Sequence, residues 1–223
     1  MIHVVLLAAG KSERFGKPKL LEKIGDTTVL EMSLKTLQKC DVVDDIVLVT
    51  SGLVMDYALK VSKQYSKISK VLKGGKTRRE SSRIGIRDLP DNDAVLIHDA
   101  ARPFATCELF RRVVERMNEC RAVIPVVNLR DTVAVIEKNE ILEIPSREKL
   151  RAVQTPQGFS VNLIRSAHEK NNSEVTDDSK LVLNIGERVC FVEGEITNLK
   201  ITFPIDLLFA KVIFFENPEK FDR

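Results

Sequence analysis

No apolar run in this chain approaches the roughly 18 residues needed to cross a bilayer. The apolar start lacks the basic segment of a secretory signal, and charged residues follow Gly10 at once. Four cysteines, Cys40, Cys107, Cys120 and Cys190, are widely spread with no CxxC pair. They read as reduced, small hydrophobic residues of a cytoplasmic protein. With only His3, His98 and His168 beside them, a His/Cys zinc site is not expected. A net charge of +3 over 223 residues is too small to imply nucleic-acid binding. There is no repeat, low-complexity tract or obvious linker. What remains, 43% hydrophobic and 30% charged, suits one α/β domain spanning residues 1–223.

Short apolar runs at 2–7, 46–50, 70–72, 94–97 and 122–127 read as strands, most of them apolar throughout. That is the pattern of parallel strands covered on both faces. Helical stripes lie between them: Val29, Leu30, Leu34 and Leu37, then 54–65, 77–87 and 107–118. The alternation predicts a Rossmann-like, doubly wound, mostly parallel sheet, whose ligands sit at the carboxyl ends of the strands. After Asn128 the pattern changes. Residues 132–136 and 141–144 flank the polar turn 137–140, which predicts a β-hairpin arm at about 130–150. Such an arm either folds onto its own domain or dimerises, and the marginal stability of lone hairpins favours a homodimer. Further on, helices are expected at 161–169 and from 176–178 through Leu183, ended by Gly186. A strand at 189–192, an extended 199–203 and a last helix after Pro204 complete the chain.

Chemistry concentrates in the loops. The first strand runs into Ala8-Ala9-Gly10, a turn that lets a polyanion approach the backbone, and then into Lys11, Arg14, Lys17 and Lys19. A P-loop would need glycine where Val5 stands, and a dinucleotide fingerprint would need it at Ser12. The turn therefore points to phosphate chemistry of another kind, or to a plain connector with solvated charges. Residues 74–82, GGKTRRESS, open a helix whose N-terminus and Ser81 offer donors to an anion, and equally fit a basic solvated turn. HDAARP at 98–103 follows a buried strand. Asp99 there can hold a metal ion or a ribose hydroxyl, or simply pair with Arg102, while His98 reads as a packed residue. Arginines and hydroxyls gather at the base of the arm, suited to a second phosphate.

LLAAGKSERFGKPK, GGKTRRESS, HDAARP, RDT at 130–132, RAVQTPQ at 151–157, TDD at 176–178 and EGEITNLKIT at 193–202 follow one another in order. Together they resemble the 2-C-methyl-D-erythritol 4-phosphate cytidylyltransferase family over nearly the whole chain. The resemblance implies transfer of CMP from CTP to a methylerythritol phosphate, with Mg2+ as cofactor and pyrophosphate released, in isoprenoid precursor synthesis. It implies that Arg14 and Lys19 stabilise the transition state and that Ala8, Ala9, Gly10, Gly75 and Ser81 hold the nucleotide. Asp99 would lie near the ribose and the metal. Thr132, Arg147 and Lys200 would grip the acceptor, with Arg147 serving the neighbouring subunit's site through the arm. Arg102 and Thr155 join the substrate-binding candidates. Three departures stand out against the family: Leu20 where glutamine is frequent, Thr197 where aspartate is, and Phe203 with Ile205 in place of polar residues.

These residue types suit the reaction. A phosphate monoester is already a nucleophile near neutral pH, because its second pKa is about 6. No serine, histidine and aspartate set is needed. The obstacle is repulsion between anions, which converging cations and a metal can offset. A cytidylyltransferase for another polyol phosphate, such as ribitol 5-phosphate, would share most of these motifs. A nucleotide-binding module without turnover would not need both Arg14 and Lys19.

Overall fold

The computed structural model describes residues 1–171 and 175–217. The first half is β1 (Ile2–Ala8), the two-residue pair β2 (Lys23–Ile24) and β3 (Thr27–Thr28), α1 (Val29–Lys39), β4 (Asp45–Thr50), α2 (Gly52–Ser62), β5 (Ile68–Lys73), α3 (Arg78–Ile86), β6 (Ala94–Asp99) and α4 (Cys107–Met117). The second half is β7 (Ala122–Asn128), β8 (Val135–Glu137), β9 (Glu140–Glu143), β10 (Arg151–Val153), β11 (Gln157–Ser160), α5 (Val161–Lys170), α6 (Asp178–Asn184), β12 (Cys190–Glu193) and α7 (Pro204–Glu216). No helix among the described residues is long and apolar enough to cross a membrane.

The main sheet runs β5-β4-β1-β6-β11-β7, with β10 and β12 also on β7. β5, β4, β1 and β6 are mutually parallel. β11 is antiparallel to both β6 and β7, so β7 runs in the direction of β6 and its end, Asn128, opens on the same edge as Asp99. The doubly wound expectation holds, and the antiparallel β10 and β11 are additions. Side-chain alternation explains the unbroken apolar runs. Val4, Leu6 and Ala8 of β1 face the layer of α1, α2, α4 and α7. Val5 and Leu7 face the layer of α3, α5 and α6. Gly85 lets α3 lie close to the sheet, since a Cβ there would collide with Val5 and Val49.

Local signals set the helix starts. Thr28 caps α1 by accepting from the Glu31 N–H, and the Glu31 carboxylate returns to the Thr28 N–H, a reciprocal cap. Thr77 and Thr106 cap α3 and α4 in the first half of that manner. Asp177 caps α6 and Gly186, at φ +80°, follows its end as expected.

The arm stands off the body. Its turn is tighter than expected, two residues with Lys138 at φ +52°. Val133, Val135, Ile136, Ile141, Leu142 and Ile144 are all exposed, so the arm is not folded onto its own chain. Residues 199–203 are extended but form no strand; a backbone bond from the Ile201 N–H to the Ala101 carbonyl ties them to the body.

One expectation is overturned. The four cysteines are not free: Cys40 pairs with Cys107 and Cys120 with Cys190, across Cα separations of 5.2 and 6.2 Å. Winding brings the end of α1 against the start of α4, and the start of β7 beside β12. Residues 67 and 70 positions apart thereby become neighbours, which spacing alone does not reveal. The cysteines therefore no longer argue for a cytoplasmic location.

Candidate active site

A cleft of about 500 Å³ opens at the carboxyl edge of the sheet, over the ends of β1 and β6. Ala8, Ala9, Gly10, Lys11, Ser12, Arg14 and Lys19 line one side of it, and Gly75 to Arg78 with Ser81 the other. Asp99, Ala101, Lys200 and Thr202 complete it. The opening loop is shaped by Ser12, at φ +59°, whose carbonyl accepts from the N–H groups of Phe15 and Gly16 at 2.9 and 3.0 Å. Phe15 and Leu20 are buried and anchor the loop at both ends. Leu20, one of the departures noted in the sequence, thus acts by packing. Lys17 pairs with Glu22 at 2.8 Å, outside the cleft. Opposite, Gly74 brings its backbone against Ala9, since a Cβ there would stand 2.9 Å from the Ser81 Oγ and collide with Ala9. The Ser81 hydroxyl accepts from the Gly75 N–H at 3.2 Å and donates to the Thr77 carbonyl at 2.9 Å, so it braces the loop.

Asp99 is the electrostatic centre. One of its oxygens accepts from the Arg78 Nε at 3.1 Å and the other from the Lys200 Nζ at 2.6 Å. Burial alone would raise its pKa, but Arg78 and Lys200 overrule that and hold the carboxyl well below its usual range. Arg78 also bridges to the buried Asp178, and those two carboxylates outweigh its burial and keep it charged. Arg78 is the residue that sequence reasoning missed. It is visible there only as one more cation in a basic first turn, because its partners lie 21 and 100 positions away. Lys19 has its pKa lowered, first by burial and then by the Lys200 charge.

Behind Asp99 lies a buried relay. The Thr155 Oγ1 accepts from the Asp99 N–H at 3.1 Å and meets the His98 Nδ1 at 3.0 Å. The His98 Nε2 meets the Arg102 carbonyl at 3.3 Å, and a carbonyl only accepts, so Nε2 carries the proton and Nδ1 accepts from Thr155. Burial pushes the His98 pKa down to about 4, which keeps it neutral, a packed residue as expected. Thr155 thus stands behind Asp99 rather than in the cleft. Arg102 donates to the Asn198 carbonyl at 2.8 Å and is not paired with Asp99. Thr132 and Arg147 sit on the arm and do not line the cleft; the Arg147 guanidinium donates to the Arg130 carbonyl at 3.0 Å.

A mostly parallel sheet whose first loop and sixth strand enclose a cation-rich cleft is built to receive a polyphosphate, and the family match makes the class a nucleotidyltransferase. Comparison with known proteins gives the particular kind. The chain belongs to the 2-C-methyl-D-erythritol 4-phosphate cytidylyltransferase family, whose sequence model matches residues 2–216. It is similar to the enzyme of that name from Halalkalibacterium halodurans, 35% identical over 97% of this chain and 98% of that one. It resembles the one from Clostridium botulinum at 33%, over 96% and 99%. Among solved structures, 4-diphosphocytidyl-2C-methyl-D-erythritol synthase from Anaerococcus prevotii superposes with a TM-score of 0.86 at 31% identity, over 96% of both chains. The Thermus thermophilus cytidylyltransferase does so at 0.75 and 32%, over 94% and 96%. These relatives do not favour a ribitol phosphate enzyme.

Proposed function

We propose that the chain transfers CMP from CTP to 2-C-methyl-D-erythritol 4-phosphate with release of pyrophosphate, and that the cleft over Asp99 is where this happens. The observation that carries the reading is the convergence of Arg14, Lys19, Arg78 and Lys200 on one cleft beside the Ala8-Ala9-Gly10 turn. The acceptor phosphate oxygen attacks the α-phosphorus and the bond to the pyrophosphate oxygen breaks. Each pair of unit charges 4 Å apart costs about 4 kcal/mol at an effective dielectric of 20, so one cation cannot offset the approach of a dianion to a triphosphate. In the proposal, Ala8, Ala9, Gly10 and Gly75 receive the nucleotide through backbone. Arg14 and Lys19 meet the charge that builds on the transferring phosphorus. Lys200 orients the acceptor, and Arg78 keeps Asp99 ionised.

A Mg2+ ion carried by a triphosphate draws one or two carboxylates from a protein and its other ligands from phosphate and water. Asp99, the one buried carboxylate among the described residues lining the cleft, fits that demand. When bound, the ion would neutralise charge on the triphosphate.

A homodimer is part of the proposal. The exposed apolar arm needs a cover, and Thr132 and Arg147 do not line their own cleft. A partner's arm would bring both to the acceptor. A cytoplasmic location is proposed with it, resting on the nucleotide-triphosphate chemistry alone. The test is pyrophosphate release with CTP and Mg2+ against a panel of polyol phosphates. Preference for methylerythritol phosphate is expected; preference for ribitol 5-phosphate, or no turnover with any acceptor, would sink the reading.

A further inference from the structure

The cleft cations differ in what holds them. Lys200 is paired with Asp99, and Arg78 with Asp99 and Asp178. Arg14 is exposed on a loop, and among the described residues no carboxylate or carbonyl is recorded against its guanidinium. Its recorded contact is the ring of Phe203, whose centroid lies 5.4 Å from the guanidinium carbon. We propose that Phe203 is a positioning residue that holds Arg14 ready for the transition state, a proposal resting on the role given to Arg14 above.

The chemistry favours a ring here. A cation within about 6 Å of an aromatic centroid is attracted by the electron-rich face. The ring has no oxygen to take up the N–H groups, so the guanidinium donors stay available to phosphate oxygens. A carboxylate in the same place would occupy two of them and cancel the charge the reaction needs. Phe203 is well fixed for the task. Its N–H donates to the Asp206 Oδ2 at 2.7 Å, and the Thr202 N–H donates to the same oxygen at 2.7 Å. Pro204 then begins α7, and Leu207, Ala210 and Phe214 bury the inner face of that helix in the core. A side chain on a bent loop is thereby steadied by one on a packed helix start. The same short segment carries Lys200, so both sides of the transferring phosphate would be set by one element. Phe203, half exposed where the family often has a polar residue, thus gains a role.

The experiment compares kcat and KM for wild type, Phe203→Leu, Phe203→Tyr, Arg14→Ala and the double variant Phe203→Leu/Arg14→Ala, with CTP, Mg2+ and methylerythritol phosphate. An exposed cation–π contact of about 0.5–1 kcal/mol corresponds to a loss of about two- to fivefold in Phe203→Leu. That loss should fall in kcat, with KM for the acceptor unchanged, and Phe203→Tyr should restore it. In the Arg14→Ala background, Phe203→Leu should do nothing further. Wild-type kcat in Phe203→Leu, or an equal loss with Arg14 absent, would overturn the proposal. A Phe203→Tyr variant as slow as Phe203→Leu would do the same. Absence of turnover in wild type itself would instead indict the assigned function.

Discussion

Lys19 and Arg78 show how one cleft handles like charges in two ways. Lys19 lies among cations and partly buried, so its ammonium is easier to deprotonate than an ordinary lysine. In the proposed mechanism that ammonium must be charged, and activity should fall at high pH as the proton leaves. The alkaline limb of kcat/KM should therefore lie below the usual lysine range of about 10.4. Lys19→Arg, which cannot lose its charge in that range, should remove the limb even at a lower plateau. Lys19→Ala should reduce kcat by about 10²–10³-fold with little change in CTP affinity, as loss of one transition-state donor does. A kcat within a few-fold of wild type would take Lys19 out of the transition state. Arg78 bears on stability as well. Removing it takes the arginine partner from the buried Asp178 and leaves Asp99 to Lys200 alone, and breaking such a buried pair costs about 3–5 kcal/mol. At 2–4 °C per kcal/mol for a chain of this size, Arg78→Ala should melt roughly 10 °C lower. The sign with pH follows from the depressed Asp99 and Asp178 pKa values. Their stabilisation is complete above the unfolded carboxylate range near 4 and disappears as pH falls through the lower folded values. The deficit of Arg78→Ala against wild type should accordingly be full at neutral pH and shrink in strong acid. A deficit that grew on acidification would contradict this account.

Among elements, the arm separates the two substrates. Its apolar residues are exposed and its Arg147 does not line the cleft of its own chain, so its proposed work is done on a neighbour. Arg147→Ala should raise the acceptor KM by about tenfold or more, the worth of a charged hydrogen bond, and leave KM for CTP nearly unchanged. Equimolar mixing with Lys19→Ala, under conditions of subunit exchange, should then restore about a quarter of wild-type sites, since half the dimers are mixed and each has one intact site. No recovery despite exchange would rule out a shared site. The arm was legible in the sequence because two β-rich runs bracket a polar turn, and α1, α3 and α4 were legible from their helical stripes. β11 was not. It has a single large apolar residue, Phe159, and four residues carry no period. The two-residue β2 and β3 fall below any pattern for the same reason. For the site, the loops were readable as local strings, and Arg14, Lys19, Asp99 and Lys200 do share one cleft. What stayed hidden was whatever depends on which distant residues meet: Arg78 with Asp178, Thr155 behind Asp99, and the ring of Phe203 under Arg14.

At the scale of the molecule, the two disulfides join residues 67 and 70 positions apart, and both lie away from the cleft. Cys40–Cys107 ties the C-terminal cap of α1 to the first residue of α4. Cys120–Cys190 ties the approach to β7 to the first residue of β12, a strand whose recorded ladder is to β7 alone. β12 leads directly into the 193–202 segment that carries Lys200, so the second bridge secures the path to the site without touching it. The chain-entropy account gives about 4 kcal/mol for closing a loop of about 70 residues. At 2–4 °C per kcal/mol, reduction should lower the melting temperature by roughly 10 °C per bridge. Because no cysteine lines the cleft, turnover measured well below melting should be the same before and after reduction. Alkylation of the native, unreduced protein followed by peptide mapping should recover the two cross-linked pairs and no labelled thiol. Four labelled cysteines, or a melting temperature indifferent to reductant, would return the cysteines to the small buried hydrophobes that their spacing suggests.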